Sequence, residues 1–93
     1  MPRSSTPAAD TLTELGRRLR EYRETVAMNQ AEFAKSAGLA INTYNQWEQG
    51  KKRPDVAGAA RICDAHGLTL DYIYRGKTDG LPVAIWKRLK RAA

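Results

Sequence analysis

The sequence predicts an all-α protein, with five short helices and a sixth at the C-terminus. Three observations predict it: apolar residues recur at steps of three and four along most of the chain, helix-capping polar residues stand ahead of those runs, and glycines close them. At 93 residues the chain has room for a single hydrophobic core, burying about two thirds of the surface that the unfolded chain exposes. The expected organisation is a flexible tail over residues 1–10, a folded domain over 11–76 and a basic, helical extension over 77–93.

The tail (MPRSSTPAAD) has no periodicity. Thr11 and Glu14 form a capping box, and Leu12, Leu15, Leu19, Tyr22 and Val26 then follow on one helical face. Arg17, Arg18, Arg20, Glu21 and Glu24 project elsewhere, so the first helix is expected to run to about Ala27 with a charged outer surface. Asn29 and Glu32 repeat the cap and open a second helix, Gln30 to Ala37, which Gly38 ends by accepting a left-handed conformation. Ile41 to Gln49 forms a third helix with Tyr44 and Trp47 on one side and Ile41, Asn42, Asn45 and Gln46 on the other; Gly50 closes it.

After the basic loop Lys51-Lys52-Arg53-Pro54, Asp55 caps a fourth helix whose stripe is Val56, Ala59, Ile62, Cys63 and His66, ending at Gly67. Thr69 caps a fifth, Leu70 to Tyr74, and the run GKTDG is turn chemistry. Pro82 opens the sixth, with Val83, Trp86 and Leu89 on an apolar line and Lys87, Arg88, Lys90 and Arg91 crowding the other side.

Sixteen Lys and Arg against ten Asp and Glu give a net charge of +6, which draws the molecule to polyanions before any specific contact forms. No apolar stretch approaches the length of a membrane span, and the first residues lack the apolar run of a signal peptide, so a cytoplasmic location without membrane contact is expected. One cysteine, Cys63, and one histidine, His66, supply no metal-ligand set; both are expected to be packed side chains. The acids are scattered, without the pairing or the adjacent nucleophile that catalysis needs. No enzyme activity, catalytic residue, metal, cofactor or small-molecule ligand is therefore expected.

Two short helices joined through Gly38 cannot bury their faces alone and must pack steeply on helices 1 and 4, leaving helix 3 outermost. Its outward amides suit the DNA major groove, where Asn and Gln pair bidentately with adenine. The segment Gln30 to Pro54 (QAEFAKSAGLAINTYNQWEQGKKRP) resembles the Cro/phage-repressor, or xenobiotic-response-element, family of helix-turn-helix regulators. The matching positions are Gln30, Ala34, Gly38, Trp47-Glu48, Gly50 and Pro54, and the likeness extends from about Leu15 to Gly76.

That resemblance implies a lambda-repressor-like five-helix fold and a transcription regulator that binds double-stranded DNA. It implies that Ile41, Asn42, Thr43, Asn45 and Gln46 face the bases, and that Gln30, Gln49, Lys51, Lys52 and Arg53 hold phosphates. It further implies that Arg23 and Glu48 bridge helix 1 to helix 3 as a structural pair. One departure is Ala40, where the family has a small hydroxyl residue, so a cap of about 1 kcal/mol is missing.

Domains with one reading helix reach useful specificity as two-fold dimers on half-sites about a helical turn apart. A homodimer repressing from a palindromic operator is expected, with the protein held at the nucleoid through DNA. The candidate dimer surface is Tyr72, Tyr74, Leu81, Val83, Trp86 and Leu89, for which folding back onto the domain's own core is the competing arrangement. An antitoxin-like role in which helix 6 binds a protein partner, a contact with RNA polymerase, and RNA binding stand as alternatives.

Overall fold

The structure is a computed structural model and describes residues 11–92. The expected tail over 1–10 lies outside the described residues. The elements are α1 (Leu12–Thr25), α2 (Gln30–Ser36), α3 (Ile41–Glu48), α4 (Val56–His66), α5 (Leu70–Arg75) and α6 (Val83–Ala92), and no strand occurs among the described residues.

Local chemistry accounts for nearly every boundary. The capping boxes Thr11/Glu14 and Asn29/Glu32 are both closed, with reciprocal bonds between side chain and backbone. Asp55 and Thr69 accept from the amides of Gly58 and Tyr72. Ala40 makes no side-chain cap at α3, as its methyl group requires.

Three successive helices end in the same Schellman geometry. Past α2, Leu39 N–H donates to Ala34 O and Gly38 N–H to Lys35 O, with Gly38 at φ 70°. Past α3, Lys51 and Gly50 make the equivalent bonds to Gln46 and Trp47. Past α1, Met28 and Ala27 make them to Arg23 and Glu24. There the left-handed position is held by Ala27 at φ 57°, where a Cβ is unfavourable and glycine is the usual solution.

The core runs through the middle of the bundle, with Leu15 and Leu19 of α1, Phe33 of α2, Tyr44 of α3, Ala59 and Ile62 of α4 and Ile73 of α5 almost entirely enclosed. Phe33 packs between Tyr22, edge to face at 6.0 Å between centroids, and Tyr44, tilted at 5.1 Å. Leu81 and Ile85 bring the start of α6 onto the same core, and α6 lies against α1. Ile85, off the expected line of Val83, Trp86 and Leu89, is buried, whereas Val83 is 65% exposed. The face of α6 turned to the core therefore carries buried Ile85 and partly buried Leu89, with buried Leu81 just ahead of the helix, and it is rotated from the line expected.

Two further expectations are corrected by burial. Val56, assigned to the core stripe of α4, is 63% exposed, and the first turn of α4 is buried instead through Gly58 and Ala59. Arg18, expected on the charged outer surface, is buried; its Nη1 donates to Ile73 O at 2.9 Å near the C-terminal end of α5. The carbonyls of a final helical turn lack intrahelical donors, and a guanidinium from another helix meets that need. Arg18 also lies so close to Gly76 that a Cβ there would come within 2.9 Å of Nη2.

Candidate nucleic-acid interface

The position of α3 is set from its inner face. Tyr44, Trp47 and Glu48 are buried, and the backbone of α1 approaches its last turn directly. A Cβ on Gly16 would lie 2.6 Å from Trp47 O and closer still to Glu48 O, so only glycine permits this contact. On the other side Gly58 makes room for the Trp47 indole, whose Cη2 would be 2.5 Å from an added Cβ. These two glycines carried no periodic or capping signal in the sequence, because the requirement for them comes from a distant helix.

Glu48 is the hub of the arrangement. Arg23 donates to it twice, Nε to Oε2 at 2.6 Å and Nη2 to Oε1 at 3.2 Å, while Nη1 donates to Met28 O at 2.9 Å. Gln30 Nε2 donates to Oε1 at 2.9 Å, and the Tyr44 hydroxyl donates to Oε2. The end of α1, the start of α2 and the end of α3 are thus tied through one carboxylate. Burial by itself would push the Glu48 carboxyl up, but the bonds from Arg23, Tyr44 and Gln30 prevail and hold it below the usual carboxylate range. Burial first, and then the bond to the Glu48 anion, keeps the Tyr44 phenol protonated well above its ordinary range. The bond to Glu48 likewise raises the Arg23 guanidinium.

The outer face of α3 is left uncovered. Ile41, Asn42 and Thr43 are exposed, Asn45 and Gln46 are half-buried, and the whole helix has no charge in its outward positions. Gln49 Nε2 donates to Asn45 Oδ1 at 2.9 Å, so these two amides form one oriented pair. The loop that follows is fixed at both ends: Lys51 and Lys52 N–H donate to Gln46 O, and Tyr74 Oη donates to Pro54 O at 2.5 Å. Between these anchors Lys51, Lys52 and Arg53 are exposed and make no ion pair among the described residues.

The predicted residues therefore fall into three places. Ile41, Asn42, Thr43, Asn45 and Gln46 share the outward side of α3, and Gln49, Lys51, Lys52 and Arg53 follow directly after it. Gln30, assigned to phosphate by resemblance, turns its amide inward to Glu48; the α2 amides of Gln30 and Ala31 remain as helix-terminal donors beside it. Of the six candidate dimer residues, Tyr72 and Leu81 are buried in the chain's own core and Leu89 packs against it. Tyr74 holds the basic loop, and only Val83 and Trp86 remain substantially exposed.

His66 is built into the core edge. Its ring stacks on Phe33 with centroids 4.6 Å apart, Nδ1 lies 3.2 Å from Tyr22 Oη, and Nε2 lies 2.8 Å from Ser36 Oγ. The Ser36 hydroxyl proton goes to Phe33 O, so Ser36 accepts from Nε2–H and Nδ1 accepts from Tyr22. Burial lowers the imidazole below its ordinary range and raises the Cys63 thiol, so both are packed, uncharged groups near neutrality. No group of metal-ligating side chains occurs among the described residues.

Paired short helices locked at a fixed angle, with the second presenting an uncovered polar face and a basic loop behind it, define a helix-turn-helix protein. The sequence profile of the helix-turn-helix domain family matches residues 14–72, well over half of the chain, and the protein belongs to that family, a domain type found in XRE-like regulators. The domain supports a DNA-binding regulator. No curated protein and no solved structure matches the chain. No helix among the described residues is long and apolar enough to cross a membrane.

Proposed function

We propose that this protein is a transcriptional repressor that reads a palindromic operator in double-stranded DNA as a homodimer, each copy placing α3 in a major groove. The observation that carries the reading is the contrast between the two sides of α3: the inner side clamped by Glu48 and Gly16, the outer side polar, uncharged and open. A reading helix has to be stiff on its support and rich in hydrogen-bonding side chains on its free side.

In this reading Asn42, Asn45 and Gln46 recognise base edges, Thr43 adds a hydroxyl contact and Ile41 meets a thymine methyl. Lys51, Lys52 and Arg53, with Gln49, hold phosphates and fix register. Gln30 contributes through the α2 N-terminus while its side chain steadies Glu48. The reading unit is residues 11–76, and residues 77–93 form an extension. Arg23 and Glu48 position the helix and touch no DNA. The protein acts in the cytoplasm, at the nucleoid, without catalysis, cofactor or ligand, and represses by covering a promoter. RNA recognition by a row of stacked bases is disfavoured, because Tyr22, Tyr44, Trp47 and Tyr72 are buried and Trp86 is the one large aromatic exposed among the described residues.

Selection of random double-stranded DNA by the purified chain at about 0.15 M salt tests the reading, because nonspecific binding is weak there. Recovery of a palindrome with half-sites a helical turn apart is the expected result. Recovery of unenriched sequence overturns it.

A further inference from the structure

On the far side of α1 from the reading helix, a cleft of about 370 Å³ opens between α1, α5 and α6, lined among others by Arg17, Arg75, Gly76, Trp86, Leu89 and Lys90. At about 100° per residue, Arg17, Glu21 and Arg18 lie roughly 100°, 140° and 200° around α1 from Gly16, where α3 abuts. A molecule seated there leaves the outer face of α3 free.

The chemistry of the cleft is cationic with one aromatic feature. Trp86 is 38% exposed, and Lys90 Nζ stands 4.7 Å from its ring centroid. The acids nearby are committed: Glu21 to Arg17 at 2.8 Å and Asp71 to Arg75 at 3.9 Å. Lys87, Arg88, Lys90 and Arg91 make no ion pair among the described residues and share α6 with no acidic residue. Beside Trp86, Val83 is 65% exposed, so the cations border an apolar surface that the chain's own core leaves uncovered.

We propose that the cleft and the adjoining face of α6 form a docking site for an acidic peptide segment of another protein, which sets an apolar side chain against Trp86 and its carboxylates against Lys90 and the other unpaired cations of α6. Charge complementarity selects this occupant. A second copy of α6 would bring its own four cations against the same four, a repulsion that an apolar contact as small as Val83 and Trp86 does not offset. Residues 1–10 carry Arg3 against Asp10 and offer no net negative charge. Duplex DNA would satisfy the cations through its phosphates but keeps its bases stacked on one another, leaving the exposed indole and valine without a partner.

Panning a displayed library of random short peptides against the full chain tests the site, followed by anisotropy measurements with the labelled peptides recovered. Acidic peptides with an apolar anchor are expected, and Trp86→Ala and Lys90→Gln are each expected to weaken them by about tenfold. Lys90→Gln retains most of the packed stem, so it serves if Trp86→Ala does not fold. DNA binding is expected to be unchanged in both variants, and its failure in the wild-type chain would overturn the DNA reading while leaving the cleft in place. Failure to enrich acidic peptides, or binding by both variants as tight as by the wild-type chain, overturns the proposal. So does a Trp86-dependent dimer that excludes the peptides. A flatter salt dependence of DNA binding on neutralising Lys87, Arg88 and Arg91, without peptide binding, assigns the face to DNA and also overturns it.

Discussion

Helices α3 and α6 are both short amphipathic helices laid on α1, yet they are held in different ways. α3 is fixed by directional bonds to one buried carboxylate and by a glycine contact that tolerates no added atom. α6 adheres through Leu81, Ile85 and Leu89, contacts that bury area without specifying an angle. The difference teaches that fixing the orientation of a reading surface calls for bonds with geometry, whereas attaching a helix requires only apolar surface.

The largest expected effect tests the first half of that contrast. Glu48→Ala removes the acceptor shared by Arg23, Gln30 and Tyr44, and is expected to cost about 3 kcal/mol of stability in denaturant titration. Operator preference should fall more than in Glu48→Gln, which keeps the shape and part of the bonding. An alanine variant that still selects the same DNA with wild-type sharpness would break the link between the hub and reading.

Ile85→Ala tests the second half. Loss of a buried isoleucine is expected to cost about 2–3 kcal/mol while the selected DNA sequence stays the same. A change in sequence preference on this substitution would mean that α6 also sets the angle of α3.

Within the interface, Gln46→Ala should weaken cognate DNA by about 1–3 kcal/mol and relax one base position. Lys51→Ala should weaken all DNA and reduce the salt slope by about one charge. Identical behaviour of the two would erase the division between reading and positioning residues.

Smaller effects concern the scaffold. The unfolded chain takes up a proton at His66 near pH 6.5, whereas the folded chain takes it up only at lower pH. Acid therefore favours unfolding as pH falls below that value, by at most about 1.4 kcal/mol per pH unit. Thermal melts of wild type and His66→Gln across this interval should separate accordingly, and parallel curves would remove His66 as the cause. Ala27→Gly relieves the left-handed alanine and is expected to raise stability by about 0.5–1 kcal/mol. A lower midpoint in urea would show that the strain is already relaxed.

Much of the outward face of α3 was legible before the structure, because helical phase alone puts Asn42 and Gln46 opposite Tyr44 and Trp47. The clamp was legible only in part. Arg23 and Glu48 were paired by family likeness, but Tyr44 and Gln30 joined them only in the structure, since their hydroxyl and amide had plausible local or solvent partners. Tyr74, expected on a dimer surface, holds Pro54, twenty positions away in the chain, a relation no local pattern encodes.

What the sequence by itself determined is local: Thr11, Asn29, Asp55 and Thr69 start helices, and Gly38, Gly50, Gly67 and Gly76 end them, because caps and left-handed turns depend on residues within a few positions. Tertiary structure alone decided that Arg18 is buried and Val56 is not, that Ile85 rather than Val83 seats α6, and that Gly16 and Gly58 must lack side chains. Those outcomes depend on which helix arrives from elsewhere in the chain, and the burial or exclusion of a side chain is set by that neighbour.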